Sequence, residues 1–123
     1  MPERRDPTIP STLHDRIGEV PGLLSRAPEE IFARLCNRAY MLESVPTALY
    51  CFLRSPDDVE EMLLLSVNAG DDAASVAAMA GALAGASGGT EALPARLLEE
   101  LKYRQRLTEL AGALYCLARG SDS

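Results

Sequence analysis

Apolar residues recur every three or four positions along most of this chain, the spacing that places them on one face of an α-helix. The most regular stripe lies near the C-terminus and consists of Leu107, Leu110, Ala111, Leu114 and Leu117. No stretch of the sequence alternates apolar and polar residues with the period of a β-strand. The pattern therefore predicts an all-α fold whose last helix runs from about Tyr103 to Arg119.

Proline, glycine and small polar residues set the predicted ends of the first helix. Residues 1–10 contain three prolines and are expected to form a disordered leader. Ser11 or Thr12 then caps a helix that continues to about Glu19. The pair Pro21-Gly22 is predicted to break this helix.

Similar signals predict the next three helices. The first of them has Pro28 in its first turn and ends at Asn37-Arg38. Each of the other two is expected to begin at a capping serine followed by a first-turn proline: Ser44 with Pro46, and Ser55 with Pro56. The run 62–65 is apolar on all sides, so the last of these helices should be central and end near Ala69.

A tight turn and a helix of very small residues form the middle of the chain. The turn is Gly70-Asp71-Asp72, and residues 73–86 that follow are almost entirely Ala and Gly. Because such a helix is narrow, neighbouring backbones can approach it closely, and we expect it to be packed on several sides. The two aspartates lie where the helix begins, near its unpaired backbone N–H groups. A carboxylate in this place is either a helix cap or a ligand that projects into a cleft.

Length and charge exclude several classes of protein. The 123 residues suit one helical domain over residues 11–119, with a tail at 120–123. A formal net charge of −6 argues against nucleic acid or an anionic membrane as the partner. The small-residue helix is shorter than the roughly 20 apolar residues that span a bilayer. No signal peptide is visible, so we expect a soluble cytoplasmic protein.

The cysteines and the single histidine give no catalytic or disulfide pattern, and no catalytic residue is assigned. Cys36, Cys51 and Cys116 are odd in number and widely spaced, so we expect small buried hydrophobes in a reducing compartment. His14 has no other histidine or cysteine near it and is expected at the surface. The remaining acidic clusters are expected to be solvated, and they are Asp57, Asp58, Glu60, Glu61, Glu99 and Glu100.

Four segments stand in an order and spacing that are hard to obtain by chance. They are Glu43-Ser44-Val45-Pro46-Thr47-Ala48-Leu49-Tyr50, Val67-Asn68-Ala69-Gly70-Asp71-Asp72-Ala73-Ala74-Ser75-Val76, Ala80-Gly81-Ala82-Leu83-Ala84-Gly85-Ala86 and Leu93-Pro94. Together they resemble the C-terminal part of the ADP-ribosylglycohydrolase family, of the dinitrogenase-reductase-activating type. The resemblance covers about Leu13 to Leu117, but only the last part of the family's usual length.

The resemblance implies an all-α fold, a pair of Mg²⁺ or Mn²⁺ ions and hydrolysis of ADP-ribose linkages. Family members take one ligand set from an N-terminal Thr-Asp-Asp motif, which is absent here, and the other from a C-terminal Gly-Asp-x-Asp-Thr motif. By this resemblance Asp72 falls on the first metal carboxylate and Ser75 on the hydroxyl ligand. Ala74 falls on the second carboxylate and has no donor atom. Gly70 and Asp71 fall on the turn and are candidate substrate-binding residues.

Three functions follow from this incomplete ligand set. The first is a truncated, non-catalytic relative that keeps the helical packing and is inactive alone, its metal possibly lost. The second is half of a split enzyme that a complementary N-terminal chain completes. The third is a helical interaction module that forms a homo-oligomer through exposed apolar surface. Tyr50, Tyr103 and Tyr115 could stack on adenine, but their helical spacing favours core or rim positions.

Overall fold

A computed structural model describes residues 8–35 and 40–120, and the regular secondary structure of this part of the chain is all helical, without strands. The prediction of an all-α fold is therefore confirmed. The helices are α1 (Leu13–Leu23), α2 (Pro28–Leu35), α3 (Met41–Arg54), α4 (Val59–Val67), α5 (Ala73–Gly88), α6 (Ala95–Glu99) and α7 (Arg104–Ala118), with a short 3-10 turn at Thr90–Ala92. Cys36, the predicted helix end at Asn37-Arg38, most of the leader and the end of the tail lie outside the described residues. None of the described helices is both long enough and apolar enough to cross a bilayer.

The chain divides into two compact units, Met1–Leu93 and Pro94–Ser123. In the first unit α3 packs against α1, α2, α4 and α5, while α5 also packs against α4. The core lies between these helices, and its largest fully buried members are Tyr50, Ile31, Leu35, Met62, Val20 and Val76. The unit thus holds α3 and α5 side by side at its centre, and the candidate site lies between them.

The small-residue helix α5 is packed on two sides, as its composition predicts. Its buried residues are Val76, Ala80 and Ala84, four positions apart, on one face of the helix. A β-carbon added at Gly81 would lie 3.8 Å from Leu63 Cδ2 of α4, an ordinary van der Waals distance. Both α3 and α4 pack against this helix.

The first helix continues through its proline, so the predicted break at Pro21-Gly22 is wrong. Thr12 is the N-cap, and its hydroxyl accepts a hydrogen bond from the Asp15 N–H at 3.2 Å. Pro21 lies inside the helix, where its ring removes one backbone hydrogen bond. Val20 and Leu23 on either side are buried in the core, and this burial outweighs the loss of a single bond.

The third helix begins earlier than predicted, with Tyr40 rather than Ser44 at its N-cap. The Ser44 hydroxyl instead lies within the first turn and donates to the Tyr40 carbonyl oxygen at 3.1 Å. Pro46, also inside the helix, has no N–H to donate to the Leu42 carbonyl oxygen one turn back. Arg16 Nη1 from α1 donates to that oxygen at 2.8 Å. A side chain distant in sequence thus supports the first turn of a helix that begins earlier than the local pattern predicts.

The fourth helix begins later than predicted. Ser55 is the C-cap of α3, and Asp58 is the N-cap of α4. The Asp58 carboxylate accepts a hydrogen bond from the Glu61 N–H at 3.0 Å, which satisfies one of the unpaired donors of the first turn. The helix was predicted to be central, and it is buried on one side only: Met62 is buried, but Leu64 is 55% exposed. The helix packs on α3 and α5, and its third face is left to solvent.

The second unit consists of α6 and α7. Its longer helix begins after Tyr103, whose φ of 61° lies in the left-handed region. The leucines of its apolar stripe are exposed, with values of 48% at Leu107, 44% at Leu110, 66% at Leu114 and 78% at Leu117. With five residues, α6 is too short to cover the 15 residues of α7. Cys116 of this helix is exposed, so its predicted burial is wrong, whereas the burial of Cys51 is confirmed.

Candidate functional site

The turn between α4 and α5 determines where the candidate ligands lie. Gly70 has a φ of 79° and Asp71 a φ of 44°, two consecutive residues with left-handed backbones. Glycine adopts this conformation without steric cost, and aspartate tolerates it better than most residues do. The Asn68 amide donates to the Leu64 carbonyl oxygen at 2.8 Å and closes the end of α4. The chain therefore reverses over a few residues and places Asp72 at the N-cap of α5.

Asp72 occupies the N-cap position without acting as a cap. Its side chain makes no cap hydrogen bond, and its backbone has φ −83° and ψ 51° rather than the extended values of a capping residue. Asp58 of α4, by contrast, is extended, and its carboxylate accepts the Glu61 N–H. The interpretation of Asp72 as a helix cap is therefore wrong.

The Asp72 side chain lines an open cavity of about 490 Å³ between α3 and α5. The α5 wall continues along the helix from Asp72, and the α3 wall is formed by the first turn and a half of that helix. The lining residues are Asp72, Ser75, Ala78 and Met79 from one side and Met41, Ser44 and Val45 from the other. The packing of α3 against α5 thus joins two distant segments of sequence in one site.

The cavity combines oxygen donors with an apolar surface. A carboxylate at Asp72 and a hydroxyl at Ser75 stand one helical turn apart on the same helix face. Ser44 lines the cavity on the α3 side, and its hydroxyl donates its hydrogen to the Tyr40 carbonyl oxygen, so any further contact that it makes is as an acceptor. Such oxygens suit a hard cation or a sugar diol, while thioether and aliphatic side chains suit a flat apolar group.

The residues that the sequence singled out fall into two groups. Asp72 and Ser75 come together in the cavity, whereas Gly70 and Asp71 lie in the preceding turn and are not among the lining residues. The role of Gly70 and Asp71 in substrate binding stays a prediction. Ala74 lies in the first turn of α5, exposed and without a donor atom.

The α3 side of the cavity was not predicted from the sequence. Its lining residues are Met41, Ser44 and Val45. The hydrophobic periodicity does not indicate a site here, because it predicts Ser44 as a helix cap. The sequence does hold one indication of this side of the site. Segment 43–50 is among the four stretches that resemble the family, together with the stretch that contains Asp72.

The donors present do not fit a pair of metal ions. Within residues 8–35 and 40–120, no three His, Cys, Asp or Glu side chains come together as a metal site. Asp72 and Ser75 supply one carboxylate and one hydroxyl, whereas two hard cations with about six oxygen ligands each need far more.

The other chemically active side chains lie elsewhere in the fold. Tyr50 is fully buried and its hydroxyl donates to the Arg26 carbonyl oxygen at 3.1 Å, so it is a core residue. Burial raises the pKa of the Cys51 thiol to about 11, and the thiol is therefore neutral and unreactive near neutrality. His14 is at the surface, as predicted, with 96% of its side chain exposed.

The sequence model of the ADP-ribosylglycohydrolase family matches residues 3–123, almost the whole chain. The chain belongs to this family. An uncharacterized protein of Archaeoglobus fulgidus is 40% identical to it over 112 residues, covering 91% of this chain and 36% of that protein. These matches confirm the family resemblance that rests on the segments around Ser44 and Asp72.

Two relatives with named activities are also similar to this ADP-ribosylglycohydrolase family member. ADP-ribosylhydrolase ARH3 of Homo sapiens is 36% identical over 89 residues, covering 64% of this chain and 24% of that protein. ADP-ribosylarginine hydrolase Tri1 of Serratia proteamaculans is 34% identical over 86 residues, covering 70% of this chain and 23% of that protein. The chain thus spans about a quarter to a third of the length of these relatives. No solved structure gives a significant match.

Proposed function

We propose that this chain carries part of an ADP-ribosylglycohydrolase cleft, formed by α3 and α5, and does not hydrolyse ADP-ribose linkages by itself. The observation that carries the proposal is the donor set of the cavity. Asp72 and Ser75 line the cavity. By the family resemblance, Ala74 falls where the motif has its second metal carboxylate. The chain retains the packing that holds the two helices together without the charges that a pair of divalent ions requires.

The test is hydrolysis by the purified chain. An ADP-ribosylated protein is incubated with the chain and Mg²⁺ or Mn²⁺, and released ADP-ribose is separated and quantified. Human ADP-ribosylhydrolase ARH3 serves as the positive control for substrate and assay. We expect release no faster than in buffer, and clear turnover by the wild-type chain would overturn the proposal.

Calorimetric titration with Mn²⁺ separates a weakened ion site from a lost one. We expect weak binding by the wild-type chain that Asp72→Ala abolishes, because Asp72 provides the charged oxygen in the cavity. Ala74→Asp adds a second carboxylate in the same helical turn and should tighten binding at least tenfold. Asp57→Ala, which removes an exposed acid from the turn before α4, is the charge-matched control for the loss of Asp72.

The alternative proposal is that a second polypeptide supplies the missing ligands. The observation in its favour is that the matched relatives are three to four times longer than the region they share with this chain. The part of the Archaeoglobus fulgidus protein that this chain does not match can be expressed separately and mixed with it. Turnover by the mixture, absent from either component, would support completion in trans, and no turnover at equimolar concentrations would count against it.

A further candidate is association of the chain with a second copy through α7. The observation that favours a second copy is the spacing of the exposed leucines in that helix, three, four and three residues apart. This is the spacing of a coiled-coil seam, which is complementary to itself when two such helices align. Light scattering at micromolar concentrations tests it, and a monomeric mass would overturn it.

A further inference from the structure

A buried arginine lies behind the α3 wall of the cavity. Arg16 of α1 is only 5% exposed, although its guanidinium is always charged. Its Nε donates to the Pro10 carbonyl oxygen at 2.6 Å and its Nη1 to the Leu42 carbonyl oxygen at 2.8 Å. A buried charge is costly unless it is hydrogen-bonded, so these contacts to backbone oxygens fix the position of the side chain closely.

The Leu42 oxygen needs this partner because of Pro46. In an uninterrupted helix the N–H of residue 46 would donate to the carbonyl oxygen of residue 42. Proline has no N–H, and Pro46 is fully buried, so water does not easily replace the missing donor. Arg16 supplies the donor from another helix and thereby completes the first turns of α3.

These first turns are also the wall of the cavity. Met41 precedes Leu42 directly, and Ser44 follows it by two positions. Both line the cavity on the side of α3. A shift of the Leu42 peptide therefore moves the side chains that face the candidate ligands. The buried face of α3 begins in these same turns and continues along the helix, through Ser44, Pro46, Thr47, Ala48, Tyr50 and Cys51.

We propose that Arg16 is a positioning residue for the cavity: it replaces the hydrogen bond that Pro46 removes and so sets the distance between the α3 wall and Asp72. Its effect on ligand binding rests on the proposed function, but its effect on cavity shape does not. The predicted signature is coupling between Arg16 and Pro46, because Arg16 donates to the Leu42 oxygen that the proline at position 46 leaves without a helical donor.

Methionine methyl signals in NMR spectra measure cavity shape without any ligand. Met41 lies on the α3 wall and Met79 on the α5 wall, while Met62 is buried in the core away from the cavity. In Arg16→Leu we expect the Met41 signal to move and the Met62 signal to stay. Adding Pro46→Ala gives residue 46 an N–H that can donate to the Leu42 carbonyl oxygen. The Met41 signal should then return toward its wild-type position.

The stability of the same variants gives a second reading. We compare the effect of Pro46→Ala on the ratio of folded to unfolded chains in two backgrounds. This effect should favour the folded state at least tenfold more in Arg16→Leu than in the wild type, since only in Arg16→Leu is the Leu42 oxygen without a donor. Equal effects of Pro46→Ala in both backgrounds would overturn the proposal. Should Arg16→Leu not fold, Arg16→Lys keeps the charge but not the planar fork, and it should shift Met41 in the same direction by less.

Arg54→Leu is the matched control at the other end of α3. Arg54 Nη1 also donates to two backbone oxygens, those of Leu24 at 2.8 Å and Arg26 at 3.0 Å, but away from the cavity. The Met41 signal should be unchanged in this variant. If it moves as far as in Arg16→Leu, the effect is a general loosening of α3 and the positioning role is refuted.

Titration with ADP-ribose separates this inference from the proposed function. If the wild-type chain binds ADP-ribose and shifts Met41 and Met79, Arg16→Leu should weaken that binding about tenfold, with partial recovery on adding Pro46→Ala. If binding is equal in the wild type and Arg16→Leu, the positioning role has no effect on the ligand and is overturned as a site function. If the wild type does not bind, the proposed function loses its support, and the methyl signals still decide whether Arg16 sets the cavity.

Discussion

Two aspartates occupy N-cap positions in neighbouring helices, and only one of them caps. Asp58 accepts the Glu61 N–H, whereas Asp72 makes no cap hydrogen bond. We expect Asp58→Ala to lower the free energy of unfolding by about 1 kcal/mol, the usual cost of losing a cap. Asp72→Ala should cost about 0.5 kcal/mol or less, because only its attraction to the helix dipole is lost. Urea denaturation measures both, and equal losses would contradict the geometry at Asp72.

The buried thiol of Cys51 makes stability depend on alkaline pH. Burial raises its pKa from the ordinary 9.0 to about 11, against a smaller opposing effect of the Ser66 hydroxyl bond. Between these values the unfolded chain has lost the proton that the folded chain keeps. The contribution is therefore complete below pH 9 and is lost as the pH rises through 11.

Two cysteine variants test this pH dependence. The free energy of unfolding of Cys51→Ala should fall less steeply than that of the wild type over the same interval, whatever its absolute stability. Cys116→Ala removes an exposed thiol and should keep the wild-type slope. Identical slopes in all three proteins would show that the Cys51 proton is not linked to folding.

Capping residues show where sequence reasoning succeeds at the scale of single residues. Thr12 and the glycine of the α4–α5 turn behave as predicted, because their roles depend only on neighbours in sequence. Ser44 does not, since its environment depends on Arg16, which lies 28 positions earlier. For the same reason, the sequence could not decide whether Asp72 is a helix cap or a ligand, because its neighbours in sequence fit both. The cavity that Asp72 lines forms only when α3 packs against α5.

The glycines of α5 differ in what surrounds them, which gives a prediction for the element as a whole. A β-carbon at Gly81 would meet Leu63 at an ordinary 3.8 Å, whereas one at Gly88 would lie 2.5 Å from the Ala92 β-carbon. Gly81→Ala should therefore stabilise the chain by about 0.5–1 kcal/mol through its better helix propensity. Gly88→Ala should destabilise it by about 1 kcal/mol through overpacking. Thermal unfolding distinguishes the two, and a loss of stability at Gly81 would show that α4 and α5 lie closer than described.

Helix order and type follow from periodicity, but helix ends in this chain depend on competition between neighbouring signals. At α1 two buried residues outweigh a proline, and at α4 an aspartate outweighs a serine and a proline just before it. Each competing signal is visible in the sequence. Which of them prevails depends on burial and on hydrogen bonds that form only after the helices pack.

At the scale of the molecule, the sequence predicts an amphipathic α7 but not what its apolar face contacts. The periodicity that places Leu107, Leu110 and Leu114 on one face is the same for a core helix and for an interface helix. The structure shows these leucines exposed.

The exposed seam of α7 predicts self-association. Leucines spaced at three and four residues form a self-complementary surface, and leaving them in water is unfavourable by about 25 cal/mol per Å² of apolar area. We therefore expect light scattering to give the mass of a dimer at micromolar concentrations. Leu114→Glu places a charge in the middle of the seam without lowering helix propensity and should give the mass of a monomer.

Leu64→Glu is the control, because Leu64 is a similarly exposed leucine in α4, outside the seam. It should remain dimeric if α7 forms the interface. Urea denaturation should show the first unit equally stable in both variants, since neither residue is part of its core. A monomeric wild type would refute self-association, and a dimer that persists in Leu114→Glu would place the interface elsewhere. The part of the Archaeoglobus fulgidus protein that this chain does not match gives a further outcome. If it binds the wild-type chain and Leu114→Glu abolishes that binding, the exposed leucines of α7 are its binding surface instead of a dimer interface.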